Sequence, residues 1–103
     1  MSDLSFIHLH NHSEFSILDG ALKIQDMVEA AYRNKMPALA LTDHGNIFGA
    51  VNFFKLAKAR DIKPILGCEV YVAPKSRFEK KPGEEETHHY HLLLLVKNEK
   101  GYK

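Results

Sequence analysis

The sequence predicts an α/β fold organised around a parallel sheet, either open or closed into a barrel. Short apolar runs of strand length alternate with stretches in which apolar residues recur at helical spacing. The runs begin near residues 6, 38 and 63, intervals close to the roughly 30 residues of a βαβ unit. The 7 histidines, gathered at positions 8 to 12, at 44 and at 88 to 91, are the anomaly of the composition.

Taken in order, Phe6 to His10 (FIHLH) reads as a first strand, and EFSILDG supplies the turn that follows. From Ala21 to about Asn34, the residues Ile24, Met27, Val28 and Ala31 keep the spacing of an amphipathic helix, which Met36-Pro37 stops. Ala38 to Thr42 (ALALT) is wholly apolar up to its threonine, the pattern of a strand covered on both faces. After the turn DHGN, Ile47, Ala50, Val51 and Phe54 repeat the helical spacing to about Arg60, with Asn46 as the expected N-cap. PILGCEVYVA is a third strand and HLLLLV, His91 to Val96, a fourth. Between them, residues of about 74–89 are rich in charge, proline and glycine and read as a solvated loop or hairpin. NEKGYK then has the look of a helix start. Four strands close neither a parallel barrel nor a doubly wound sheet, so residues 1–103 are expected to be part of a larger domain.

Composition narrows the function. An apolar fraction of 45% and a charged fraction of 26% over 103 residues fit a globular domain or part of one. No apolar run approaches the roughly 20 residues of a membrane helix, and MSDLSFIHLH lacks the features of a signal peptide. A cytoplasmic protein with no membrane partner is the expectation, and the single Cys68, unable to form an internal disulfide, agrees with a reducing compartment. With 14 basic and 13 acidic residues, the chain has no broad cationic surface for a phosphate backbone.

The histidines belong with three other positions. In an extended strand His8, His10 and His12 project to one side, since side chains alternate faces. Alone, such a triplet is more readily an ordinary half-exposed or hydrogen-bonded strand face than a ligand set. Asp43-His44 at the end of the second strand, Glu69 in the third and His91 at the start of the fourth change its meaning, because carboxyl ends of parallel strands meet around one crevice. Glu69 lies in an apolar strand, where an unpaired carboxylate is costly. Imidazoles and carboxylates without thiolates suit Zn²⁺, Mn²⁺ or Fe²⁺. A shared carboxylate such as Glu69 suits a pair of cations that cleaves a phosphoester. Asp19 has an alternative as a helix N-cap and Asp43 as a turn residue beside Gly45 and Asn46. Cys68 is expected to face away from Glu69 as core filling. His88, His89, Lys75 and Arg77 are expected in the solvated loop.

The stretches HLHNHSEFSILDGA, PALALTDHGNIFGAVNFFKLAKARDIKPILGCEVYVAP and HLLLLVKNEKGY resemble the start of a PHP (polymerase and histidinol phosphatase) domain. SILDGA and TDHGNIFGAVNF point to the branch found at the N-terminus of bacterial DNA polymerase III alpha subunits. The resemblance covers Phe6 to Lys103. It implies part of a distorted seven-stranded β/α barrel, with about the first four strands present and up to three divalent metals in the complete domain. It implies His10, His12, Asp19, His44, Glu69 and His91 as metal ligands, with His10, His12 and Glu69 at the catalytic centre. His8 stands where many stand-alone members carry aspartate. Further ligands, including a closing Asp-x-His, would come from beyond residue 103, so the isolated fragment is expected to be inactive. The activity implied is metal-dependent phosphodiester hydrolysis, a 3′–5′ proofreading exonuclease, within a DNA-directed DNA polymerase whose partners are DNA and other replicase subunits. A stand-alone phosphatase of the histidinol phosphatase kind, and a non-catalytic scaffold binding replicase subunits, are the alternatives.

Overall fold

A computed structural model of the chain describes residues 6–16, 20–76, 78 and 90–103. The element order is α1 (Ile24–Arg33), β1 (Ala38–Leu41), α2 (Ala50–Ala59), β2 (Lys63–Val72), β3 (Tyr90–Leu95) and α3 (Glu99–Tyr102). The strands form one sheet in the order β1-β2-β3.

α1 buries the four residues that its periodicity marks, Ile24, Met27, Val28 and Ala31. Both long helices end the same way. Lys35 and Asp61 adopt left-handed backbone, each with φ 57°. The following amides reach back, Met36 N–H to Ala31 C=O and Ile62 N–H to Ala57 C=O, both at 2.9 Å, which satisfies carbonyls left over at the helix end. The chain is thereby aimed directly into β1 and β2. These strands pair in parallel, Ala38 opposite Lys63 through Leu41 opposite Leu66. All four β1 residues are buried, and Leu39 and Leu41 meet Phe53 and Ala57 of α2 and the buried face of α1 in a single core with Ile62.

Four expectations need correction. The apolar stripe of α2 is turned by one residue: Ala50, Phe53 and Ala57 are buried, whereas Val51 is 68% and Phe54 48% exposed. Phenylalanine at both 53 and 54 makes the two phases equivalent in the sequence, and packing selects the one that puts Phe53 at the centre of the core. The helix also starts later than expected, with Gly49 at its N-cap position. Asn46 instead ties the preceding turn, its Oδ1 accepting from Phe48 N–H at 3.1 Å and its Nδ2 donating to the Phe15 and His44 carbonyls.

Residues 6–10 do not form a regular strand. The segment lies along β1, but Ala40 N–H bonds to His8 C=O and Thr42 N–H to Asn11 C=O, so a three-residue step faces a two-residue step and the ladder slips. Asn11 repairs the break with its side chain, donating to the carbonyls of His8 (3.0 Å) and Ala40 (2.9 Å), while its backbone N–H donates to Thr42 Oγ1.

The sheet is also not wholly parallel, contrary to expectation: β3 pairs with β2 antiparallel, Val72 opposite Tyr90 through Gly67 opposite Leu95. A parallel return needs a long crossover, usually a helix. The charged stretch of about 74–89, expected as a solvated loop or hairpin, lies largely outside the described residues. α3 begins after Asn98, whose side chain accepts from Gly101 N–H.

Candidate metal centre

The reversal of β3 decides where its histidine goes. Because β3 runs against β2, its beginning lies at the carboxyl end of β2, and His91 stands opposite Tyr71, two residues beyond Glu69. His44 reaches the same edge from the other side. Past the end of β1 it forms an isolated parallel bridge with Glu69, held by Glu69 N–H to Asp43 C=O (3.0 Å) and Gly45 N–H to Glu69 C=O (2.9 Å). Gly45 turns the chain away with φ 62°, a left-handed conformation that suits glycine. His10 and His12 arrive from the slipped segment beside β1.

Four imidazoles thus surround one carboxylate. Glu69 Oε1 accepts from His10 Nε2 at 2.5 Å and from His12 Nε2 at 2.7 Å. Oε2 accepts from His91 Nδ1 at 2.5 Å and has His44 Nδ1 at 3.7 Å. The Glu69 side chain is 6% exposed, and those of His12 and His44 are 18% and 15% exposed. His10 and His91, at 54% and 44%, form the open flanks. The His12 and His44 rings approach to 3.9 Å between centroids. Burial raises the Glu69 carboxyl, but the bonds from His10, His12 and His91 and the field of His44 outweigh it and hold the group at about 2. The charged form that a cation needs is the favoured one.

The ligand atoms fall into two sets, His10–His12–Glu69 and His44–Glu69–His91, and within each set they lie within 4.8 Å of one another. Each carboxylate oxygen faces its own pair of rings. Nitrogen and oxygen donors in this number suit divalent ions of the zinc, manganese or iron type.

Five of the residues expected as ligands, His10, His12, His44, Glu69 and His91, therefore come together around Glu69, with His12 and His44 inside and His10 and His91 on the open flanks. Asp19 lies outside the described residues, as do Arg77, His88 and His89. His8 does not join its neighbours: it packs edge-on against Phe6 at 4.6 Å, beside a cavity of about 210 Å³ over α1 that Asn11, Leu22 and Met27 also line. The slip at Asn11 breaks the strict alternation that placed all three histidines on one face. Cys68 is a half-buried free thiol. It sits beside the Gly45 and Asn46 amides, and burial pushes it up. Lys75 is exposed.

Two features of the site are missing from the sequence reading. Tyr71 packs edge-on against His91 at 5.2 Å and lies parallel to His44; its period-two relation to Glu69 is the signal that places it on the same face. Asp43 does not serve its own turn. Its carboxylate is 1% exposed and accepts from Ser13 N–H, Ser13 Oγ and Ser16 Oγ. Two serines in NHSEFS, three apart before a glycine, were the available sign.

The PHP domain family model matches residues 8–103. Among curated proteins, the DNA polymerase III subunit alpha of Treponema pallidum is 52% identical over 103 residues, covering 100% of this chain and 9% of that protein. The same subunit of Borreliella burgdorferi is 55% identical over 98 residues, 95% of this chain and 8% of that one. That of Thermus aquaticus is 50% identical over 105 residues, 99% of this chain and 9% of that one. The chain thus spans less than a tenth of the length of these relatives. Among solved structures, an amidohydrolase from Chromobacterium violaceum with bound sulfate and no metal aligns with a TM-score of 0.65 and 29% identity, over 87% of this chain and 26% of its own. A protein described as a metal-dependent phosphoesterase from Bifidobacterium adolescentis shares the fold with a TM-score of 0.61 and 23% identity, over 84% of this chain and 25% of its own. The α/β architecture is that of these proteins.

Proposed function

Since the chain belongs to the PHP domain family, we propose that it is the N-terminal part of such a domain in a bacterial replicative DNA polymerase, and that its Glu69 centre is a metal-dependent phosphoesterase site. Residues 1–103 then form roughly the first half of the domain, and DNA synthesis belongs to regions beyond it. The whole protein works in the cytoplasm on DNA, with other replicase subunits.

The observation that carries this reading is the division of one buried carboxylate between two histidine pairs. His10, His12 and Glu69 would hold one ion, and His44, His91 and Glu69 another; Asp19 and residues beyond 103 would complete the set, with Zn²⁺ or Mn²⁺ as the expected metals and Fe²⁺ as a further fit. Bound there, such a pair supplies a water deprotonated at neutral pH and charge to offset that developing on the phosphate. The chain's own contribution is arrangement. The half-buried His12 and His44 fix the floor, while the exposed His10 and His91 leave the phosphoester an approach between them. Glu69, held ionised, balances the cationic charge. The substrate class is a 3′-terminal phosphodiester, and the activity a 3′–5′ proofreading exonuclease.

The test uses the full-length protein: bound metal is quantified and degradation of a single-stranded 3′ end is followed for wild type and Glu69→Ala. Bound metal with degradation that Glu69→Ala abolishes is the expected result. Full metal occupancy with no hydrolysis would sink the nuclease and leave a scaffold for other replicase subunits.

A further inference from the structure

Asp43 is the one buried carboxylate among the described residues that the proposed chemistry does not use. A buried carboxylate is costly unless its lone pairs are engaged. Here they are: Oδ1 accepts from Ser13 N–H at 2.5 Å and from Ser16 Oγ at 2.8 Å, and Oδ2 accepts from Ser13 Oγ at 2.7 Å. Ser13 and Ser16 are themselves 0% and 1% exposed. Ser16 Oγ passes the link on by accepting the His44 backbone N–H at 3.0 Å.

The positions joined are specific. Ser13 directly follows His12, and Asp43 directly precedes His44. The network therefore fastens together two segments far apart in the chain at the residues next to one ligand from each metal set. None of its members belongs to the apolar core formed by α1, α2, β1 and Ile62. Its product is the spacing of His12 and His44, whose rings stand 3.9 Å apart.

We propose that Asp43 is a positioning residue that couples the two metal subsites, holding His12 through Ser13 and His44 through Ser16. The proposal rests on the metal-centre reading above, and deepens it by assigning the residue that fixes the spacing of one ligand from each set. Partners that orient ligands in this way commonly change metal affinity by roughly 10–100-fold when removed.

The experiment compares wild type with Asp43→Ala, Asp43→Asn and Ser16→Ala in the full-length protein. Zn²⁺ affinity and stoichiometry come from calorimetric titration, ligand geometry from the visible absorption of the Co²⁺ form, and melting temperature serves as the control. Asp43→Ala is expected to weaken both ions by about 10–100-fold and to shift the Co²⁺ bands. Ser16→Ala, which cuts only the branch to His44, is expected to weaken one ion and spare the other. Asp43→Asn keeps an oxygen for Ser13 N–H and Ser16 Oγ and is expected to restore most of the affinity. A core variant, Phe53→Leu, is expected to lower the melting temperature with Zn²⁺ affinity unchanged. Wild-type affinity in both Asp43→Ala and Ser16→Ala, or a loss matched by Phe53→Leu at equal melting temperature, overturns the positioning role while leaving the metal centre standing. A wild-type protein that binds no divalent ion overturns both. If Asp43→Ala does not fold, Ser16→Ala decides by the same criterion.

Discussion

His44 and Glu69 face each other across a single parallel bridge that resumes, beyond the end of β1, the register pairing Leu41 with Leu66. The ladder lapses at Thr42 and Asp43, whose side chains are engaged by Asn11, Ser13 and Ser16. It closes again where the ligand is needed. The distance between the imidazole and the carboxylate is thereby set by backbone hydrogen bonds as well as by rotamers.

Gly45 is the residue that permits this closure, so Gly45→Ala should strain it. At φ 62° an added Cβ costs about 1–2 kcal/mol, with Tyr71 also 3.5 Å from where it would lie. Denaturant titration of the variant should show that loss, and hydrogen exchange at the Gly45 amide should quicken.

Replacing Gly67 should be worse. A Cβ there would stand 2.6 Å from the Leu94 carbonyl oxygen and 2.8 Å from the Thr42 methyl group. Both belong to packed structure, so β2 and β3 must part. Gly67→Ala is expected to destabilise by about 1–3 kcal/mol, and a melting temperature equal to wild type would refute the close approach.

The phase of α2 gives a direct comparison of neighbours. Phe53→Ala empties the core and should cost about 3–5 kcal/mol, whereas Phe54→Ala, on the half-exposed side, should cost under about 1 kcal/mol. Equal losses in paired urea titrations would return the helix to the orientation that its spacing first suggested.

Removing metal should soften the same edge of the sheet. An ion present at 100 times its dissociation constant stabilises by about 2.7 kcal/mol. Treatment of the full-length protein with chelator, followed by calorimetry, should lower the melting temperature, and added Zn²⁺ or Mn²⁺ should restore it. Glu69→Ala should be nearly insensitive to the same treatment, because both ion sets lose their shared ligand.

Much of this was legible in the sequence. α1 and β1 are each a pattern with one solution, and a carboxylate at Glu69 within an apolar strand marked that position as one needing partners. α2 was ambiguous because Phe53 and Phe54 offer equivalent stripes, and only the fit against Leu39 and Leu41 separates them. The slip beside β1 was invisible because alternation assumes a regular ladder, while Asn11 replaces ladder bonds with side-chain bonds. That slip divides His8 from His10 and His12. The Asp43 network joins residues nearly thirty positions apart, beyond the reach of any local pattern.

The reversal of β3 carries a consequence for how such a domain can vary. Because Val72 and Tyr90 are paired at the edge that holds Glu69 and His91, the chain departs from the sheet and rejoins it at the rim of the metal centre. Residues inserted or deleted between those two points leave the register of β2 and β3 untouched. The length of that connection can therefore change while the pairing that sets His91 opposite Tyr71 stays fixed.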